Sequence, residues 1–145
     1  MNFAKTRKFF LRLLPVVAVP MIGHAQESTL QPNQCPTAAA IAAVGVSQNA
    51  VELSNGQWLT GRRNQLYNTT SRWTLLMGNI TANTRIQAYE RATASLSTLT
   101  FMFGPVQGPL GKWVCHYHTA TGYETMTVNP PIAQAQDQSF LKAVH

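Results

Sequence analysis

His116 and His118 flank Tyr117 within Lys112-Trp113-Val114-Cys115-His116-Tyr117-His118-Thr119, where the chain concentrates its reactive side chains. The stretch reads as a strand, and successive strand side chains point to opposite faces. Trp113, Cys115, Tyr117 and Thr119 then share the core face, because buried cysteine and aromatic bulk favour packing there. Val114, His116 and His118 share the other face, with the two histidine Cα atoms roughly 7 Å apart. Two imidazoles so placed can approach one metal ion, or offer an axial ligand to haem iron. Tyr117 is a core residue and not a ligand under that scheme. A closed transition-metal site wants a third or fourth donor, and the sequence does not show where one would come from.

Gly61-Arg62-Arg63-Asn64-Gln65 is the second polar cluster. Arg62 and Arg63, near Trp58 and Tyr67, could hold a carboxylate or a propionate. They would reach a ligand on the histidine face if the first hairpin lay beside the histidine strand. Hydrolytic chemistry finds less support. The five acidic residues are Glu27, Glu52, Glu90, Glu124 and Asp137, and none pair within a short motif. There is no Gly-x-Ser-x-Gly, no phosphate-binding loop, no His-Glu-x-x-His and no dinucleotide fingerprint. Cys115 and His116 are adjacent in a strand, so they point apart and do not form a thiol–imidazole pair. The expectation is a binding protein and not an enzyme, with a metal ion or haem as the candidate ligand of the histidine pair. The rival reading is an exported interaction or envelope-associated protein with no small-molecule ligand.

Residues 1–25 have the organisation of a secretory signal peptide. Lys5, Arg7 and Lys8 form a charged start, an apolar run extends to Ile22, and Gly23-His24-Ala25 offers small residues for cleavage before Gln26. The run is short and holds Pro15 and Pro20, whereas a spanning helix needs about 20 apolar residues, so no stable membrane insertion is expected. The full chain carries a formal charge of +6. Removing Lys5, Arg7, Lys8 and Arg12 leaves seven basic against five acidic residues, a net of +2. That is too little to argue for nucleic acid. Two cysteines in an exported chain point to one disulfide, Cys35 to Cys115, and to a periplasmic or extracellular location.

Residues 26–132 suit a single domain. Pro36 to Val44 is alanine-rich and helical, with Ile41 and Val44 facing a sheet and Gly45 closing the helix. Ala50–Leu53 and Gln57–Thr60 form a hairpin through Ser54-Asn55-Gly56, after which Gly61–Asn64 leaves the strand. Trp73–Met77 is a third strand and Asn79–Ala82 a loop. From Thr84 to Ser97, Ile86, Tyr89, Ala92 and Leu96 recur at helical spacing behind an Asn83 cap. Leu99–Phe103, the histidine strand and Tyr123–Val128 complete the strands. Short turns favour antiparallel neighbours. The fold class is therefore α+β: a single antiparallel sheet of five or six strands, two helices on one face, and one disulfide. Residues 133–145, rich in Gln and Ala, are expected as a mobile tail or a short terminal helix.

A set of ordered motifs extends over most of this domain: Cys35-Pro36, Ala43-Val44-Gly45-Val46-Ser47, Trp58 through Gln65, Trp73, Gly104-Pro105, Gly111 through Cys115, and Val128-Asn129-Pro130-Pro131. In their order and spacing the chain resembles a family of small exported bacterial proteins of unknown function that includes a member named hemin-binding protein. The resemblance implies an exported domain with hemin binding as a family-level possibility. It carries over no ligand residues.

Overall fold

The computed structural model describes residues 30–144; the expected signal peptide lies outside them. The described chain forms one six-stranded antiparallel sheet with helices on both faces. The strands are β1 (Val51–Ser54), β2 (Gln57–Gln65), β3 (Trp73–Thr81), β4 (Thr100–Gln107), β5 (Trp113–His118) and β6 (Glu124–Asn129). The helices are α1 (Ala38–Val44), α2 (Arg85–Ser95) and α3 (Asp137–Val144). The sheet order is β1-β2-β3-β6-β5-β4, so the last strand enters the middle and β4 forms an edge.

Helix α1 starts at Thr37, whose hydroxyl accepts from Ala40 N, and Gly45 closes it with its N–H on Ile41 O. Helix α2 starts one residue later than the asparagine cap expected, with Thr84 accepting from Gln87 N. Its packed side is Ala88, Ala92 and Ser95, small residues that let the helix approach the sheet closely. Ile86, expected on that side, faces solvent. Beneath α1 and α2 lies a core of Trp73, Leu75, Met77, Ile80, Cys115 and Tyr117. The Cys35–Cys115 disulfide closes there, with Cα atoms 5.8 Å apart. It ties the segment leading into α1 to β5, the strand second from the edge.

Strands β2 and β3 run longer than their patterns suggested. Gly61 to Asn64 stays in β2 instead of leaving it, because the backbone continues to pair with β3 and bulges between Arg62 and Gln65. Gly61 has no room for a side chain: a Cβ there would sit 2.0 Å from the Leu75 carbonyl oxygen. Asn79 to Thr81 is strand, not loop, held by Ile80 opposite Trp58. Strand β4 is bulged twice, between Phe101 and Phe103 and between Phe103 and Val106.

The second face corrects the expectation of a mobile tail. Residues 134–136 form a 3-10 turn, and α3 follows, packing Phe140 and Leu141 on Leu59, Leu76, Val114, Met126 and Val128. Gly78 leaves room for this, since a Cβ there would lie 3.1 Å from Leu141 Cδ1. Two helices thus cover one face as expected, and a third covers much of the other.

Phe140 is 1% exposed. Phe140→Ala should therefore lower stability in urea melts by about 3–5 kcal/mol, where a loose tail would show almost no change. Cys115→Ala should lose roughly 2–5 kcal/mol, and intact protein should show no free thiol by mass after alkylation.

Candidate functional site

Strand β5 runs with Cys115 and Tyr117 toward α1 and α2, and Val114 and His116 toward α3. Tyr117 donates its hydroxyl to Pro36 O at 2.6 Å, and burial pushes its pKa up to about 12. It is a core residue, as alternation implied. His116 and His118 share the opposite face, but their surroundings differ. His118 is exposed at the strand end. His116 is half-buried and stacks on Phe103, with ring centroids 4.5 Å apart and planes inclined by 22°.

The stacked pair lines an open cleft of about 540 Å³ between β4, β5 and the end of α3. Val106, Pro109, Val114 and Val144 supply apolar walls. Burial holds the His116 pKa below its ordinary value of 6.5, with the Glu124 carboxylate opposing that shift. The ring is therefore biased toward the neutral imidazole, which has a lone pair to offer a metal. Among the described residues no group of three or more His, Cys, Asp or Glu side chains is placed to hold a metal ion.

Arg62 and Arg63 are elsewhere. Their strand is separated from β5 by β3 and β6, so the condition that would have brought them to the histidines is not met. Three strand spacings amount to about 14 Å. Arg63 faces α3 and grips Asp137 through both carboxylate oxygens, with Nη1 2.9 Å from Oδ1, and also donates to Ile132 O. Arg62 faces the other way and donates through Nη2 to Val46 O at 3.2 Å. Both line a second, polar cleft of about 330 Å³ with Ser47, Asn49 and Gln65. Arg63 is thus a structural anchor for the start of α3. The arrangement separates two candidate sites that the sequence reading had combined.

Phe103, Val106 and Val144 are the site residues that the sequence reading missed. Phe103 was visible as an aromatic in a strand, but its pairing with His116 depends on a bulge. Val144 lies in the segment read as a mobile tail or a short terminal helix. No helix among the described residues is long and apolar enough to cross a membrane. No family model, no curated protein and no solved structure matches the chain.

The lowered pKa of His116 has a defined effect on stability. A histidine whose folded pKa lies below its unfolded value takes up more protons when unfolded, so acid destabilises the fold. Stability should fall as pH drops below 6.5 and level off beneath the folded pKa. Urea melts of the wild type and His116→Asn between pH 8 and pH 5 should show a shallower slope in the variant.

Proposed function

We propose that this chain is an exported binding protein whose cleft takes a flat, largely apolar ligand with a coordinating centre, hemin being the candidate. The observation that carries this reading is the half-buried His116 stacked on Phe103 against apolar walls. Ligand sites of a few hundred Å³ are usually apolar with a few placed polar groups, and this cleft has that make-up. His116 would hold the iron, while Phe103, Val106 and Val144 would cover the ring. Hemin brings an iron that accepts an imidazole nitrogen. The chain's own contribution is to hold that imidazole half-buried against Phe103 and biased toward its neutral form.

The residues fit hemin in part. One imidazole and an apolar wall are present; the Arg62 and Arg63 guanidiniums are too distant to meet propionates, which would face solvent. His118 lies on the same strand face, nearer the exposed end, and is a secondary contact in this reading. Export to the periplasm or the extracellular space is supported by the character of residues 1–25 and by the disulfide, which persists in oxidising compartments. No catalytic role is assigned.

A Soret titration of the purified chain tests the reading. Saturable binding at micromolar hemin is expected, with His116→Ala weakening it by about tenfold or more and His118→Ala having the smaller effect. His118→Ala should leave stability within about 0.5 kcal/mol, as at exposed positions generally. Binding unchanged in the His116→Ala variant would sink the assignment. Absence of a saturable shift in the wild type would remove hemin as the ligand.

A further inference from the structure

Strand β4 reads Thr100-Phe101-Met102-Phe103-Gly104-Pro105-Val106-Gln107, without a single charge, and forms a sheet edge. Phe101, Met102 and Phe103 are 49%, 56% and 48% exposed, and Val106 and Leu110 nearby are exposed as well. Isolated exposed apolar residues are ordinary, but a contiguous row on an edge strand is not. Edges are normally blunted by lysine, proline or a covering element, because their outward N–H and C=O groups invite another strand. Here Pro105 blunts one end, where Gln31 Nε2 also donates to Pro105 O at 3.3 Å. Thr100 to Phe103 has no such protection among the described residues.

The bulge between Phe101 and Phe103 sends these two rings to opposite faces. Phe101 meets Tyr117 edge-to-face on the side of α1, at 5.8 Å, while Phe103 stacks on His116 on the side of α3. A cleft therefore flanks the edge on each face. One is the 540 Å³ cleft beside Phe103. The other, of about 430 Å³, lies between Phe101, Gly104, Pro105 and the segment from Asn33 to Ala38. Neither lining includes Asp, Glu, Lys or Arg.

We infer that the β4 edge binds an extended, uncharged segment of a partner polypeptide, which adds a seventh strand and places adjacent apolar side chains in the two flanking clefts. Adjacent residues of a strand point to opposite faces, which matches one cleft per face. Backbone pairing supplies affinity and the clefts supply selectivity, the logic of strand addition generally. The partner's lack of charge follows from the linings: a charge buried there would lose its hydration, and no Asp, Glu, Lys or Arg lines either cleft to pair with it. A second copy of this chain is a poorer occupant. Two β4 edges paired antiparallel about a two-fold axis would share only Thr100 to Phe103, with Thr100 opposite Phe103 and Phe101 opposite Met102. Four paired residues a side fall short of the roughly 20–30 residues a side of a standard stable interface. The inference does not rest on hemin binding: it is argued from the exposure of the edge and the linings of its two flanking clefts, neither of which calls for a ligand on His116.

A random linear dodecapeptide library displayed on phage, panned against the purified chain, provides the test. The enriched peptides should carry consecutive uncharged apolar residues. They should slow amide hydrogen exchange at Thr100 to Phe103 and lose affinity by about tenfold or more when Met102→Lys puts a charge on the edge. Alternate N-methylation of a selected peptide should abolish binding by removing its donors. Hydrogen exchange of free Met102→Lys verifies that the variant is folded. No enrichment, enriched peptides that are charged or that protect another region, or binding unaffected by N-methylation would overturn the inference. So would a concentration-dependent dimer of the free chain that Met102→Lys dissolves, since the edge would then belong to a second copy.

Discussion

The hydrogen-bonded ladders on either side of β6 hold this fold in one piece. Strands β1 to β3 form one antiparallel set and β4 with β5 another, and β6 pairs with both β3 and β5. Its residues from Thr125 to Asn129 are all buried. Met126 and Val128 face α3, while Thr125 and Thr127 face the other way beside Tyr117. A strand buried on both faces must satisfy its backbone within the sheet, since an unpaired buried N–H or C=O costs about as much as a lost hydrogen bond. The sheet order then follows: the chain makes its first three strands, crosses along α2 to lay down β4 and β5 at the far side, and closes the gap last.

The disulfide fixes what happens at that far side. In the chain-entropy view, closing a loop of 80 residues restricts the unfolded chain by about 4.5 kcal/mol. Its structural effect is more local. Cys35 Sγ and Cys115 Cα press against Gly104, where a Cβ would lie 3.1 Å from the first and 2.8 Å from the second. Gly104 also has φ +133, a conformation few side chains tolerate. The backbone of β4 therefore passes over the disulfide only as glycine. The irregular pairing on both sides of Phe103 accompanies this crossing, and it determines which face each aromatic ring of the edge occupies.

Much of the architecture could be read from residue order because the relevant signals are local. Alternation placed Cys115 and Tyr117 inward and His116 outward, and the alanine run with Gly45 marked α1. Three features could not be read that way. The length of β2 depends on a bulge at Arg62 to Gln65, where Asn64 has φ 56, and a polar Gly-Arg-Arg-Asn run looks like a loop without its partner strand. Helix α3 was present in the pattern, with Asp137 at its start and Phe140, Leu141 and Val144 on one side. A short terminal helix was one of two readings of that segment; what residue order could not show is that Phe140 and Leu141 bury against the sheet and that Asp137 pairs with Arg63, 74 positions away. The distance between the arginines and the histidines is a matter of strand order, set by β6 inserting between β3 and β5, and nothing local in either cluster encodes it.

Phe103 is the residue on which the two proposed surfaces meet. Its ring stacks on His116 inside the cleft, and its backbone belongs to the open edge. A strand added along Thr100 to Phe103 would order the edge and fill the cleft mouth with a side chain, while a flat ligand against His116 would occupy the same volume. The free energies of the two proposed occupants are coupled through this one side chain, and whatever one does to the affinity of the other must hold in reverse. The expected sign is negative, since a single cleft cannot take both. The geometry is that of an exclusive choice: one small volume, next to an edge that no described residue covers along Thr100 to Phe103, with a single aromatic ring serving both.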